Sequence, residues 1–326
     1  MSGYPKRIPE KICLPEEPPS PLVAVIGPTG SGKSHLALQL ARQFGGEIVN
    51  CDSIQVHRGL NIGAAKLPPA GRLSVPHHLI DIIDPCQELT AGGYAHRARQ
   101  AIHEITGRGN LPVVAGGTGF YLRALLEGLS PAPLRDETLR HRLQAVRVRR
   151  PAALFRYLRR FDPAAARRIH PNDQQKLIRA IEMTIRAGQP ASAVQSAARA
   201  PLQGYRVLKL GLAPPRAELY AALNRRSAAM FEQGLVEETR QLLQAGLPLK
   251  AKALCSLGYK QAVQVLTAGL SLEKAVQELQ TRTRQYAKRQ MTWFRGETDV
   301  NWLAGFGHSP SVEACAAEFV RSFLAV

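Results

Sequence analysis

The chain has 326 residues, 45% of them hydrophobic, and carries 43 Lys and Arg against 25 Asp and Glu, a formal net charge of +18. That length buries a full core and suggests about two structural units, while the charge exceeds what solubility needs and points to a polyanion such as nucleic acid, with a uniformly basic proteome as the bland alternative. No apolar stretch reaches the length that spans a bilayer, and the five scattered cysteines lack any C-x-x-C pair, which indicates neither a zinc knuckle nor a disulfide framework and suits a reducing cytoplasm.

Residues 1–20 place Lys6, Arg7, Lys11 and three acidic residues among prolines with no apolar run, the pattern of a flexible tail and not of a signal peptide. The apolar strand Leu22–Ile26 then runs into Gly27-Pro28-Thr29-Gly30-Ser31-Gly32-Lys33-Ser34. Glycines let backbone N–H groups turn inward, Lys33 adds a point charge, Ser34 offers a hydroxyl to a metal ion, and a helix opening at Lys33 aims its positive end at the same anion. An NTP is the usual occupant of such a loop, although the motif itself reads only a di- or triphosphate.

Further short apolar runs follow at Glu47–Cys51, His78–Ile82, Leu111–Ala115 and Arg206–Leu210, separated over the first half by helical patterns. This rhythm predicts an α/β fold with a parallel sheet and helices on both faces. Right-handed crossovers would bring the loops after Ile26, Cys51, Ile82 and Ala115 to one sheet edge, where ligand chemistry is expected. The strand Glu47–Cys51 delivers Asp52-Ser53 to that edge. A carboxylate there reads as a general base, as a metal ligand through water, or as a plain turn or N-cap residue. The long irregular run from Asp52 to Lys66 is too elaborate for a simple connection. Gly116-Gly117-Thr118-Gly119 repeats the order strand, glycine turn, helix and presents the Thr118 hydroxyl beside the first loop, unless the glycines serve packing alone.

From about Ser130 to about Pro201 strands vanish and helical periodicity dominates over Leu139–Val148, Ala152–Phe161, Pro163–Ile169 and Asp173–Ala187, with Arg149-Arg150, Arg159-Arg160 and Arg167-Arg168. The segment reads as a helical insertion, residues 130–201, between two parts of one core, 21–129 and 202–326. Arg216 to Arg295 is again helical, with Gly234, Gly246 and Gly258 at helix ends or turns. Thr281–Arg295 interleaves cations with Tyr286, Trp293 and Phe294, which suits phosphate neutralisation plus base stacking on RNA; core packing of Trp293 and Phe294 is an equal alternative at helical spacing. The nine histidines show no metal spacing.

These elements in this order resemble the tRNA dimethylallyltransferase (tRNA isopentenyltransferase) family, bacterial type, over nearly the whole chain beyond the tail. The motifs that carry the resemblance are Gly27–Ser34, Asp52-Ser53-Ile54-Gln55-Val56 through Gly63-Ala64-Ala65-Lys66, Gly116–Tyr121, Asp173–Ala180, Leu257–Gln261 and Arg284–Gln290. The resemblance implies a P-loop NTPase-like core with an inserted all-helical domain and a helical C-terminal region. It further implies transfer of a dimethylallyl group from its diphosphate to N6 of the adenosine 3′-adjacent to the anticodon, in tRNAs reading codons that begin with U. In that chemistry Gly27, Pro28, Thr29, Gly30, Ser31, Gly32, Lys33 and Ser34 bind a leaving diphosphate, with Mg²⁺ at Ser34. Asp52 is the base on N6, and Thr118 and Arg226 act at the reacting groups.

The tRNA contacts implied are Asp52, Ser53, Ile54 and Gln55; Thr118; Arg140; Gln175, Lys176, Leu177, Ile178 and Arg179; Cys255, Ser256, Leu257, Gly258, Tyr259 and Lys260; and Lys288, Arg289, Gln290, Met291, Thr292, Trp293, Phe294 and Arg295. The insertion would clamp the anticodon stem, a task that needs no dimer. His57, Asn61 and Ala65 depart from the family's usual Tyr, Asp and Thr. The competing readings are a P-loop small-molecule kinase, an adenylate isopentenyltransferase acting on a free nucleotide, and a nucleotide-regulated RNA-binding protein without chemistry.

Overall fold

A computed structural model describes residues 18–196 and 198–326; the expected tail lies largely outside the described residues. Alternation in the first strand builds the core. In β1 (Ser20–Ile26) the side chains of Val23 and Val25 enter one apolar layer, and those of Leu22, Ala24 and Ile26 enter the other. After β1 come α1 (Lys33–Gln43), β2 (Gly46–Asn50), β3 (His77–His78), α2 (Ala91–Gly107), β4 (Leu111–Ala115) and α3 (Gly119–Leu126). The first layer takes Leu36, Ala37 and Leu40 of α1, and the second takes Tyr94, Ala98 and Ile102 of α2 with Leu122 and Leu125 of α3. Each face of the sheet is thus closed by amphipathic helices, as a buried parallel sheet requires.

The chain then leaves the sheet through α4 (Glu137–Arg149), α5 (Ala153–Phe161), α6 (Pro163–Arg168), α7 (Gln174–Ala187) and α8 (Ala191–Ser196). These helices enclose a separate apolar cluster that includes Leu143, Leu154, Leu158, Leu177, Ile178 and Ile181. Buried Asp162 pins α6 to α8, accepting from Ala165 N at 2.9 Å, Ser192 N at 2.8 Å and Ser192 Oγ at 2.7 Å. The chain returns where it left: Leu202 N donates to Leu126 O at 2.9 Å.

Next come β5 (Tyr205–Leu212), α9 (Arg216–Glu232), α10 (Leu235–Gln244), α11 (Tyr259–Ala268), α12 (Leu272–Phe294), β6 (Val300–Leu303) and α13 (Pro310–Leu324). The sheet order is β3-β2-β4-β1-β5-β6, and every pair is parallel. All strand C-termini therefore share one edge.

Two expectations need correction. The strand expected over His78–Ile82 is only His77–His78, because Leu79 and Asp81 adopt φ of 62° and 58°, which a strand does not accommodate. The sheet also gains β6, which was not anticipated from the sequence; α13 behind it extends the expected helical C-terminal region. A short strand carrying Asn301 and a partly exposed Trp302 has no alternating pattern, and its place follows from pairing with β5.

Candidate active site

The loop after β1 makes the floor of a cleft of about 740 Å³ at the C-terminal edge of the sheet. Gly27, Gly30 and Gly32 take φ of 143°, 76° and 87°, a left-handed backbone closed to other residues without strain. Gly32 caps α1 without a side-chain hydrogen bond, which leaves the first N–H groups of the helix for an anion. Thr29, Gly30, Gly32, Lys33 and Ser34 line the cleft, whereas Ser31 is buried and its carbonyl accepts from Gly307 N at 2.8 Å. Lys33 Nζ donates to Pro28 O at 2.6 Å, and burial pushes its ammonium down to about 8, with Asp52 opposing the shift and Arg226 reinforcing it.

Asp52 follows β2 on the same edge. Its Oδ1 accepts from Ile54 N at 2.8 Å and Gln55 N at 3.4 Å, so the carboxylate does serve as a local turn cap, and the same bonds fix its orientation toward the cleft it lines. Arg226 projects from α9 onto the cleft; burial lowers its pKa from the ordinary value, and Asp52 opposes that. Tyr286 of α12 is raised by burial first and by Asp52 second. Lys33, Asp52, Arg226 and Tyr286 therefore share one electrostatic environment, although they lie on four separate elements. Cys51, next to Asp52, is pushed by burial up to about 12 and stays a thiol.

The irregular run after Asp52 is tied down by Glu238, which carried no signal in the sequence, and by Lys66. Glu238 of α10 accepts from Ile62 N at 3.0 Å, Asn61 N at 3.2 Å and Tyr259 Oη at 2.5 Å. Lys66 Nζ donates to His57 O and Asp81 Oδ1, both at 2.5 Å. The three departing residues fit this frame: His57 is buried, Asn61 Oδ1 accepts from Lys66 at 3.4 Å, and Ala65 lines the cleft at φ 48°.

The second glycine turn meets the packing need that its bland reading supposed. A methyl group on Gly116 would lie 2.1 Å from Cys51 O, and one on Gly119 would lie 2.2 Å from the Trp293 ring. The Thr118 hydroxyl does not face the first loop as expected; it accepts from Ser53 N at 3.1 Å and donates to Ser53 Oγ at 3.4 Å. Thr118 thus braces the loop that carries Asp52.

Among the expected RNA contacts, Ser53, Ile54, Gln55, Cys255, Ser256, Leu257 and Arg289 line the cleft. Gln175, Lys176, Lys260, Lys288, Thr292 and Arg295 are exposed, and Met291 is half-buried. Other side chains are turned inward and need correction. Leu177 and Ile178 belong to the core of the insertion, Tyr259 is fully buried beside buried Gly258, and Phe294 sits in the apolar layer under the sheet. For Phe294 the core alternative holds, because an aromatic ring buried there has no face left for a base. Trp293 is partly buried, with the Arg123 guanidinium 4.4 Å from its ring and Phe120 edge-on at 6.5 Å. Arg140 and Arg179 are both drawn to fully buried Glu182, at 4.0 and 2.7 Å. Gln290 is a strut: its Oε1 accepts from Thr29 N and its Nε2 donates to Gly117 O, each at 2.7 Å, which joins the two glycine loops.

Among the described residues no group of three or more His, Cys, Asp and Glu is arranged to hold a metal ion, and no helix is long and apolar enough to cross a membrane. The family model described as IPP transferase matches residues 55–297, and one described as isopentenyl transferase matches residues 21–72. The tRNA dimethylallyltransferase of Solibacter usitatus is 53% identical over 304 residues, covering 93% of this chain and 99% of that one. The enzyme of the same name from Geobacter sulfurreducens is 43% identical over 91% of this chain and 96% of its own. The solved tRNA isopentenylpyrophosphate transferase of Bacillus halodurans has TM-score 0.68 at 35% identity, over 94% of this chain and 96% of that one. A eukaryotic dimethylallyltransferase solved in the act of modifying tRNA has TM-score 0.74 at 28% identity, over 93% and 80%. With this P-loop-like sheet, this cleft and relatives matched over more than nine-tenths of its length, the chain belongs to the tRNA dimethylallyltransferase family.

Proposed function

We propose that this enzyme transfers a dimethylallyl group from dimethylallyl diphosphate to N6 of the adenosine 3′-adjacent to the anticodon, in tRNAs reading codons that begin with U. The observation that carries the reading is the convergence of Lys33, Asp52 and Arg226 on one cleft whose wall is the basic, aromatic helix α12. In the reaction the N6–C1 bond forms while the C1–O bond to the diphosphate breaks. The diphosphate departs with the electron pair, and the N6 proton passes to Asp52. An exocyclic amine is a weak nucleophile because its lone pair is delocalised into the ring, so proton removal as the bond forms is where a base helps. With Oδ1 engaged by Ile54 and Gln55, Oδ2 is the oxygen assigned to that proton. Lys33, Arg226 and the N–H groups of Gly30–Ser34 oppose the charge that grows on the leaving diphosphate.

Ser34 is exposed at the head of α1 and lines the cleft, so its hydroxyl would be the side-chain group here to hold a Mg²⁺ ion. Bound there, the metal neutralises leaving-group charge. The target adenine is stacked in its loop and must flip out to reach C1, at a cost of a few kcal/mol. We assign the offsetting contacts to Arg289 and the exposed residues of Lys288–Arg295, and the grip on the anticodon stem to the insertion of residues 130–201, with the enzyme acting as a monomer.

The test incubates the protein with Mg²⁺, dimethylallyl diphosphate and unmodified tRNA, then digests the RNA and weighs its nucleosides. Prenylated adenosine is expected. In parallel incubations supplied with ATP or AMP, ATP turnover without that product would make the protein a kinase, and prenylation of free AMP in preference to tRNA would make it an adenylate transferase.

A further inference from the structure

The segment between β6 and α13 brings to the head of α1 a histidine that no step above uses. Gly307 N donates to Ser31 O at 2.8 Å, and a methyl group on Gly307 would lie only 2.4 Å from Gly32 O, so the two backbones are docked without room for side chains. His308 follows and lines the cleft together with Gly30, Lys33 and Ser34. A methyl group on Gly32 would lie 3.2 Å from His308 Nδ1, which puts the imidazole beside the uncapped N–H groups of α1. The ring is braced by Phe306, tilted 30° at 5.2 Å, and edge-on by His35 at 6.3 Å. His35 is itself engaged by Glu313 at 2.8 Å, which leaves His308 as the imidazole available to a ligand.

Sheet order decides which end of the ligand it meets. With β3-β2-β4-β1-β5-β6, Asp52 flanks the phosphate loop from the β2 side and His308 flanks it from the β6 side. The reacting carbon lies by the base, so the far side belongs to the phosphate remote from that carbon.

We infer that His308 is a further diphosphate-contacting residue, donating a ring N–H to the outer phosphate of the prenyl donor and of the released diphosphate. An imidazole keeps at least one N–H donor in either protonation state, so the contact does not depend on which form is present. The inference rests on the reading that Gly27–Ser34 holds a diphosphate.

The probe is inorganic diphosphate as an inhibitor competing with dimethylallyl diphosphate, measured at saturating tRNA for wild type, His308→Ala, His308→Gln and Lys33→Ala. His308→Ala should raise both the inhibition constant and the donor KM by about tenfold, the scale of a hydrogen bond to a charged group, while the KM for tRNA holds. His308→Gln retains an N–H donor and should recover most of that loss. Equal inhibition of wild type and His308→Ala overturns the inference, as does a loss that His308→Gln fails to recover, because the ring would then serve only to pack the loop. Weaker inhibition in Lys33→Ala alone would sink the histidine contact and keep the diphosphate reading. No weakening in any variant would sink the diphosphate reading itself.

Discussion

Replacing Gln290 by leucine should damage the diphosphate loop without touching a reacting atom. The side chain is 6% exposed and holds two backbone groups, Thr29 N–H and Gly117 C=O, at 2.7 Å each. Leucine nearly matches its volume and offers neither partner. An orphaned buried polar group costs ~1–3 kcal/mol, and the lower end applies because both loops border the cleft and water can enter. Two such groups give a loss of about 2 kcal/mol, which at the scale for a chain of this size corresponds to a fall of roughly 3 °C in Tm. The donor KM should rise in step, since Thr29 belongs to the loop proposed to cradle the diphosphate, while tRNA binding at low salt is retained. Gln290→Glu is the sharper control: it preserves the acceptor for Thr29 but sets a carboxylate oxygen against Gly117 O, so it should fall below leucine. Calorimetry with steady-state kinetics decides the matter. A Gln290→Leu protein with wild-type Tm and wild-type donor KM would refute the strut, and a fully stable Gln290→Glu would refute the orientation of the amide.

Asp52→Ala should leave tRNA binding largely intact while turnover falls by about two orders of magnitude or more, the scale of a general base; near-normal single-turnover rates would reduce Asp52 to a turn cap. Lys33, buried down to about 8, is charged in the free enzyme below that pH and loses its proton above it. Donor affinity should therefore weaken as pH climbs through 8, and Lys33→Arg, which stays charged, should flatten the profile; the donor KM measured from pH 7 to 9.5 checks this. Burial alone would raise the Glu47 carboxyl, but hydrogen bonds from Arg108, Asn110 and His78 outweigh it and hold it at about 2. A depressed carboxylate adds stability above its unfolded pKa and loses it as pH falls toward 2, so Glu47→Gln should cost about 3 kcal/mol in urea at pH 7 and progressively less below pH 4.5. Arg289→Ala should weaken tRNA binding and reduce the slope of log affinity against log salt by about one; an unchanged slope would make that arginine structural.

The parallel sheet, the tight glycine loop after β1 and the place of Asp52 on the cleft were legible because each depends on local chemistry: an apolar strand, glycines that must bend, a carboxylate at a strand end. Helices α4 to α7 of the insertion were legible for the same reason, with ends within a few residues of where periodicity placed them, whereas the short α8 was not read. Arg226 was different. Nothing near it in the sequence distinguishes it from other arginines, and only the resemblance marked it. Gln290 is separated from Thr29 by 261 residues, and Glu238 from Ile62 by 176, so their roles exist only after folding. Leu177, Ile178 and Phe294 show the converse error. They sit inside runs that resemble RNA-contacting stretches, yet on a helix neighbouring positions point to different faces, and these three point inward.

The adjacency of β1 and β5 has a consequence for synthesis. These strands pair over seven residues, from Ser20↔Tyr205 to Ile26↔Gly211, yet the ribosome makes them about 185 residues apart, a separation read from that same register. Until β5 emerges, the inner strand of the finished sheet is an edge, with unpaired N–H and C=O groups that invite wrong partners. During that interval the insertion can collapse on its own apolar cluster, and the touching backbones of Leu126 and Leu202 then deliver β5 close to its slot. A helical module outside the sheet would thus shorten the search that completes it, and a nascent chain stalled before residue 205 should be the species most prone to aggregate.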